Sequence, residues 1–231
     1  MKVRIKGFYK DIETFSYKNV LLAIEDKKLF TNTIKNILTY DHRNLNEIII
    51  YNDELELVLS KNVILIKDIF SFEINSKTIL NKLYLSLKQI IEESNELVNS
   101  FYSSINMINH SIINAASEWN FDLILNEQLE LETYFKSHGI KIWAEYSTLL
   151  EKALLIIEIL SEFMPDILLI ISHSLDYFDD EEVKEILKYI RYKQIDALFI
   201  ENSIERESLF EDVYLIDNEF DLIYNKDINS K

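Results

Sequence analysis

The chain has 231 residues, of which 48% are hydrophobic, so it has room for one large or two small domains and is not a disordered protein. Its 24 Lys and Arg residues against 40 Asp and Glu residues give a net charge of -16. This charge argues against a protein that coats nucleic acid with its whole surface, but it does not exclude a local basic groove. Cysteine is absent, which excludes disulfides, thiolate metal sites and a cysteine nucleophile.

The sequence shows neither a membrane span nor a targeting segment. No apolar run approaches the ~20 residues that cross a bilayer, and the N-terminal residues lack the apolar centre of a signal peptide. We therefore expect a cytoplasmic protein with no membrane partner. Only 2 Gly and 1 Pro are present, which excludes Gly-rich phosphate loops from most of the chain and favours long helices.

The first third of the chain predicts several strands. Residues 1–17 alternate loosely between apolar and polar positions, which predicts an edge hairpin. Asn19–Ile24 is an unbroken apolar run typical of a buried strand, and Asp26 is placed to cap the helix that follows. Ile48–Tyr51 and Val63–Ile66 are predicted to be further strands.

A helical region follows. Apolar residues recur at steps of 3, 4 or 7 from Ser76 to about Trp119, without Pro or Gly. A helix of ~40 residues would extend about 60 Å, so it either projects from a small domain or breaks. The polar cluster Glu92–Asn95 is the expected break. Two more helices are predicted at Glu127–Lys136 and Ser147–Phe163.

The segment Asp166–Asn202 predicts one complete strand, helix, strand unit. Ile167–Ile171 and Ala197–Ile200 are buried strands, and Asp179 with Glu182 forms a capping box for the helix between them. A parallel pair joined in this way takes a right-handed crossover. Four apolar residues at helical spacing are expected to pack on the sheet: Val183, Ile186, Leu187 and Ile190.

These elements predict an α/β protein with two parts. The predicted head comprises residues 1–75 and 165–231, with a mainly parallel sheet that ends in strands at Val213–Ile216 and Phe220–Ile223. The predicted leg, residues 76–164, is α-helical and protrudes.

Because a buried strand that leads into a capped helix is typical of nucleotide-binding folds, nucleotide binding is the first function to consider. A phosphate loop needs the pattern GxxxxGK[ST], but the turn after Ile24 contains Glu25 and Asp26 and no Gly. Two carboxylates at a helix N-terminus would repel a triphosphate. Asp68 resembles a Walker-B aspartate in position, although an Asp that ends a buried strand is common. A cryptic nucleotide hydrolase near Asp68 is therefore an alternative function.

Nucleophilic catalysis has weak support. Ser172, His173 and Ser174 follow a predicted strand, but adjacent side chains rarely point the same way and no nucleophile elbow is present. A turn is the preferred interpretation, and we predict a protein without catalytic residues.

Carboxylates cluster where the long helical region ends and the next helix begins. Such a turn brings hard oxygen ligands together from separate backbone segments, which suits Ca²⁺. A solvated acidic turn is the alternative interpretation. The candidate ligands are Glu118, Asp122, Glu127, Glu130 and Glu132.

Two basic stripes lie at helical spacing and could follow the phosphates of duplex DNA without reading its sequence. Glu181 and Glu185 stand three residues before two of these lysines, so pairing within the helix is the alternative interpretation. The candidates are Lys184, Lys188 and Arg191 in the head and Lys77 and Lys88 in the leg.

Several blocks resemble a known family. In order along the chain they are NVLLAIED, IFSFEINSKTILNKLYLSL, FDLILNEQLELETYFKSHGIKI, LLIISHSLDYFDDEEVKEILKYI and DALFIEN. Over roughly Asn19 to Ile223 the chain is similar to the short form of the ring-forming, DNA-end-binding accessory protein of type II-A CRISPR adaptation. FEINSKTIL is the most distinctive block.

This resemblance implies a RecA-like head with a degenerate phosphate loop and a protruding helical leg. It further implies a homotetrameric ring that binds Ca²⁺ and threads onto double-stranded DNA ends during spacer acquisition in antiviral defence. The family acts beside the CRISPR integrase and effector nuclease and has no established catalytic activity.

The resemblance also bears on the site residues. Glu118, Asp122 and Glu127 fit the pattern of the family's calcium-binding acids. Glu132 fits it only if the alignment slips by one residue between Glu132 and Gly139, so Glu130 and Glu132 stay alternatives. No motif in this sequence shows which of its lysines correspond to the DNA-contacting lysines of the family. The leading hypothesis is thus a non-enzymatic, calcium-stabilised DNA-end clamp, and the other alternative is a helical scaffold for protein partners.

Overall fold

The computed structural model describes residues 1–39, 47–52, 62–121, 123–125 and 130–225, and residues 55–56 by their backbone. The chain divides into two compact units. The larger unit comprises Met1–Glu73 and Ala144–Lys231, and the smaller unit comprises Ile74–Trp143.

Ten strands and six helices are numbered here in chain order within the described residues. The strands are β1 Lys2–Ile5, β2 Ile12–Glu13, β3 Asn19–Ile24, β4 Ile48–Asn52, β5 Leu55–Glu56, β6 Val63–Ile66, β7 Leu168–Ser172, β8 Asp196–Glu201, β9 Asp212–Ile216 and β10 Leu222–Tyr224. The helices are α1 Lys27–Leu38, α2 Lys77–Glu93, α3 Asn95–Ala115, α4 Leu131–Ser137, α5 Leu149–Phe163 and α6 Asp180–Tyr192.

The main sheet of the larger unit has six strands in the order β10-β9-β3-β8-β7-β6. All neighbouring strands are parallel except β10, which runs antiparallel to β9. Every residue of β3 and β7 is buried, as their unbroken apolar sequences predict for central strands covered on both faces. The predicted α/β fold with a mainly parallel sheet is confirmed.

A second, antiparallel sheet has the order β2-β1-β4-β5. It corrects the sequence analysis, which predicted a hairpin at residues 1–17 and a strand at Ile48–Tyr51 but did not place them in a separate sheet. Their alternating pattern leaves Val3 and Ile50 on one face, and both residues join a core with Val20 and Leu22 of the main sheet. The second sheet therefore packs against one face of the main sheet.

Helices α5 and α6 belong to the opposite side of the main sheet. Asp179 and Glu182 form the predicted capping box of α6, and Val183 and Ile190 on its predicted apolar stripe are buried. Helix α6 is further tied to β3, because the amide of Asn19 donates to the backbone oxygen of Leu187 at 3.0 Å. This helix sets the position of the basic residues discussed below.

The boundary between the units differs from the predicted one. The predicted leg, residues 76–164, included the helix now labelled α5, whereas this helix lies in the larger unit. Its apolar residues are buried on several sides, and Glu158 accepts a hydrogen bond from the hydroxyl of Tyr189 on α6. Periodicity marks a helix but does not show which neighbour its apolar stripe will meet.

The smaller unit contains α2, α3 and α4. The long helical region breaks at Ser94, inside the predicted segment Glu92–Asn95, because its extended backbone ends α2 while its hydroxyl accepts the backbone N–H of Leu97 and caps α3. Tyr84 and Phe135 form the centre of the core that packs α2 against α4.

Candidate metal and nucleic-acid sites

The described members of the predicted calcium set lie in the smaller unit. Glu118 is exposed just after α3, Glu130 is exposed at the residue before α4, and Glu132 lies in the first turn of α4. Carboxylate oxygens are the donors that Ca²⁺ prefers, so the donor chemistry of these residues fits that ion. Asp122 and Glu127 lie outside the described residues. Within the part of the chain that is described, no three His, Asp or Glu side chains are grouped to hold a metal.

Glu132 forms an ion pair that the sequence analysis did not predict. Its Oε1 lies 3.3 Å from Nζ of Lys88 on α2, and each side chain is about one-third exposed, at 36% and 35%. The hydrogen bond from Lys88 to Glu132, followed by the charges of Glu92 and Glu130, raises the pKa of Lys88. A predicted DNA contact and a predicted calcium ligand are therefore partners of each other.

The other predicted basic residue of the smaller unit is available to solvent. Lys77 begins α2, is exposed, and forms no ion pair within the described residues. It lies eleven residues before Lys88, about three helical turns, so the two lysines share a face of α2 as predicted from their spacing.

The basic stripe on α6 in the larger unit is partly neutralised. Lys184 contacts Glu181 at 2.6 Å, the pairing within one helix that was the alternative interpretation. Arg191 forms an ion pair with Glu211 from the loop before β9. Lys188 is exposed and has no ion pair in the described structure, so it is the member of this stripe that is free to meet a phosphate.

The carboxyl end of β3 carries acidic side chains in the position of a phosphate loop. Asp26 accepts the backbone N–H of Leu29 at 2.7 Å and caps α1, and Glu25 accepts a hydrogen bond from the amide of Asn218 at 2.8 Å. These contacts use two carboxylates where a phosphate loop would offer backbone N–H groups. The turn after β3 therefore has acidic contacts and no phosphate-loop sequence, as predicted from the sequence.

Asp68 does not complete a nucleotide site. It follows β6 at the edge of the main sheet, and β7 and β8 separate that strand from β3. Three strand spacings correspond to roughly 14 Å. Asp68 accepts the backbone N–H groups of Phe70 at 2.9 Å and Ser71 at 3.2 Å. The side chain of Ser71, followed by these two backbone groups, lowers the pKa of the Asp68 carboxyl. Its geometry is that of a turn-forming aspartate.

The serines beside His173 do not form a nucleophile and base pair. The hydroxyl of Ser174 donates to the backbone oxygen of Ser172 at 3.1 Å, and both serines are buried. His173 has a positive φ of 51°. Its Nδ1 instead lies 3.8 Å from the carboxylate of Glu201. The turn interpretation of this segment agrees with these contacts.

Glu201 is a residue that the sequence analysis missed. It ends β8, is 6% exposed, and accepts the backbone N–H groups of Ser174 at 3.2 Å and Leu175 at 3.4 Å. Burial raises the pKa of its carboxyl to about 7, and the two N–H groups oppose that rise. The sequence does hold one signal for this residue, because its carboxylate comes directly after the apolar run ALFI of a buried strand.

Among the described residues, no helix is both long and apolar enough to span a membrane. Taken together, the strand order and the separate helical unit define an α/β protein with a mainly parallel sheet and a second, helical unit. Proteins of this fold class have many different functions, so the fold does not identify the function. Sequence relatives are needed to identify the family.

The chain belongs to the Cas_Csn2 family of CRISPR-associated proteins, whose sequence profile matches residues 39–220. It is 25% identical to the CRISPR-associated protein Csn2 of Enterococcus faecalis over 209 residues, which cover 90% of this chain and 93% of that protein. It is 27% identical to the protein of the same name from Streptococcus agalactiae over 206 residues, covering 88% and 89% of the two chains. The predicted family is therefore confirmed.

A solved structure supports the fold. The crystal structure of Stu0660 of Streptococcus thermophilus superposes with a TM-score of 0.59 and 14% sequence identity, covering 94% of this chain and 75% of that one. At this identity the likeness concerns the fold alone.

Proposed function

We propose that the chain is a non-catalytic clamp that binds the ends of double-stranded DNA as a calcium-stabilised homotetrameric ring during CRISPR spacer acquisition. Membership of a CRISPR-associated family is the observation that carries this proposal. In this role it acts in the cytoplasm beside the CRISPR integrase and effector nuclease.

The absence of catalysis in this proposal is supported by the carboxyl end of β3. Glu25 and Asp26 place negative charge where a nucleotide phosphate would bind, and Asp68 follows the edge strand β6, three strands away from the central strand β3. Binding then depends on position and charge, which suits a protein that encircles DNA and reads no sequence.

The surface of α3 supports self-association. Glu96 is the one residue among Asp, Glu, Lys and Arg in this 21-residue helix, which also contains His110, within a chain of net charge -16. A surface with so little charge allows copies to approach without strong repulsion, and large apolar groups lie exposed on it. These exposed side chains are Leu97, Tyr102, Met107, Ile108, Ile112 and Ile113.

Calcium in this proposal neutralises carboxylates that would otherwise repel each other when four acidic chains assemble. The residues that would hold it are Glu118 and either Glu130 or Glu132, with Asp122 and Glu127. Their carboxylates supply the hard oxygen ligands that Ca²⁺ prefers.

The proposal is tested by a gel shift with linear and covalently closed duplex DNA of one sequence, in calcium and then in chelator, with light scattering for mass. We expect a species of tetramer mass that shifts linear DNA in calcium and leaves closed circles unshifted. Equal binding to closed circles would exclude obligatory threading. A monomer that shifts neither DNA would favour the scaffold alternative.

A further inference from the structure

One basic side chain holds the loop between β7 and α6. Arg206, which follows β8, donates from its guanidinium to the backbone oxygen of Leu175 and, at 2.9 Å, to that of Phe178. Both carbonyl groups belong to the loop, residues 173–179. The guanidinium is partly exposed, and its charge is paired with Asp180 at the start of α6 at 3.1 Å. The loop therefore depends on a cation that lies close to the surface.

The same loop lies against a buried carboxylate that has an unused acceptor. Oε1 of Glu201 accepts the backbone N–H groups of Ser174 and Leu175, whereas Oε2 accepts no hydrogen bond within the described residues. Nδ1 of His173 lies 3.8 Å from Oε2, which is beyond hydrogen-bond distance. A buried carboxylate with a free oxygen is unfavourable once it is ionised, so it attracts a cation that can approach it.

The guanidinium of Arg206 is placed to make that approach. Arg206 and Glu201 line one cavity of about 180 Å³, and Arg206 is the one basic residue among the described residues around it. Its present ionic partner, Asp180, has a side chain that is 63% exposed, where an ion pair contributes little. A charge on buried Glu201 would be screened far less, so ionised Glu201 is the stronger partner for the guanidinium.

We propose that Arg206 is a latch with two positions, which holds the carbonyl groups of loop 173–179 while Glu201 is neutral and turns to Glu201 when that carboxyl loses its proton. The structure shows the first position. In the second position Leu175 and Phe178 lose their donor, so one side of the loop is released. The inference is independent of the proposed function, because every contact in it lies within the larger unit.

The surroundings of Glu201 set the pH of this change. The charged and titratable groups around it, from the loop, the segment after β8 and the start of α6, are His173, Asp176, Glu205, Arg206 and Asp180. Burial raises the pKa of the Glu201 carboxyl to about 7, and the two backbone N–H groups of the loop oppose that rise. The first position therefore predominates below pH 7, and the second position predominates above it.

The latch is tested by amide hydrogen exchange of the full chain between pH 5.5 and 8.5, resolved to single residues and expressed as protection factors. The N–H of Phe178 donates to the backbone oxygen of Leu175 at 3.1 Å and reports on the clamped part of the loop. Its protection should fall roughly tenfold as the pH rises through 7, because the loop loses a hydrogen bond from a charged donor. The N–H of Ser174 should become more protected, because an ionised Glu201 is a stronger acceptor.

Three variants separate the parts of the latch. Glu201→Gln cannot ionise, so Phe178 should keep its acid-range protection up to pH 8.5. Arg206→Gln lacks the charged donor, so Phe178 should show the low protection at every pH. Glu205→Gln changes another carboxylate beside the same cavity and is the matched control, which should follow the wild type. Circular dichroism checks the fold of each variant.

Three results would overturn the inference. Protection of Phe178 that does not change with pH in the wild type would refute the latch, and so would an equal fall in Glu201→Gln. Wild-type protection in Arg206→Gln would show that the guanidinium does not hold the loop. The proposed function would stand after each of these results, because the gel shift and light scattering test it separately.

Discussion

The buried carboxylate of Glu201 accepts the backbone N–H of Ser174 at 3.2 Å, which ties the loop after β7 to the end of β8. Two other charged groups act on the ionisation of this carboxylate, and an imidazole lies nearby. His173 lies 3.8 Å away, Asp176 opposes ionisation and Arg206 favours it. The same loop is held from a second side, because Arg206 donates to the backbone oxygen of Leu175.

The pKa of Glu201 predicts how stability depends on pH. Its folded pKa of about 7 lies above the ordinary 4.5, so its contribution to stability is complete below pH 4.5 and is lost as the pH rises through 7. Wild-type protein should lose about 2–3 kcal/mol of unfolding free energy over this range relative to Glu201→Gln, which stays neutral. Urea unfolding of both proteins between pH 5 and 8.5 measures the difference. Parallel curves would show that burial does not perturb this carboxyl.

The variant Asp68→Ala distinguishes the proposed non-catalytic clamp from the alternative function, a cryptic nucleotide hydrolase. Asp68 organises a turn at the sheet edge and is remote from β3, so we expect ATP turnover by the wild type at background level and no change in the variant. Phosphate release with purified full-length protein, with and without duplex DNA, measures this. Turnover above background that is abolished by Asp68→Ala would favour the hydrolase.

Lys188 and Lys184 form a matched pair for testing DNA contacts on α6. Lys188 is exposed and unpaired within the described residues, whereas Lys184 already contacts Glu181 at 2.6 Å. Lys188→Ala should weaken duplex binding by roughly fivefold and lower the salt slope by about one, and Lys184→Ala should have a smaller effect. Fluorescence anisotropy at several salt concentrations measures both. Equal effects would mean that the ion pair does not restrain Lys184.

Local signals were sufficient to predict the strand, helix, strand unit around α6. The capping box of Asp179 and Glu182 and the apolar stripe of α6 involve residues only three or four positions apart. Ser94 was also predictable as a break, because polar residues interrupt the apolar period there.

Long-range relationships were not predictable in the same way. The pairing of Lys2 with Tyr51 that builds the second sheet carries no local signal, and neither does the contact between Lys88 and Glu132. The perturbed pKa of Glu201 arises from burial by several elements, which sequence spacing does not reveal. Sequence therefore indicated which residue types were available for chemistry, and the tertiary fold decided which of them are already paired.

The exposed apolar surface of α3 provides the test of assembly. Met107 is 64% exposed, so Met107→Glu should leave the fold of the chain intact while it places a carboxylate in the proposed contact between copies. An unpaired charge buried in an interface costs about 3 kcal/mol, which raises the dissociation constant roughly a hundredfold. Light scattering in calcium should then show a lower mass than that of the proposed wild-type tetramer.

Tyr9→Glu is the control for that measurement, because Tyr9 is a fully exposed large side chain in the larger unit. It adds the same charge to the chain, so it separates general repulsion between acidic copies from the loss of one contact. Equal loss of mass in both variants would mean that total charge limits assembly. Tetramer mass in both would mean that the apolar surface of α3 serves a partner other than a second copy of the chain.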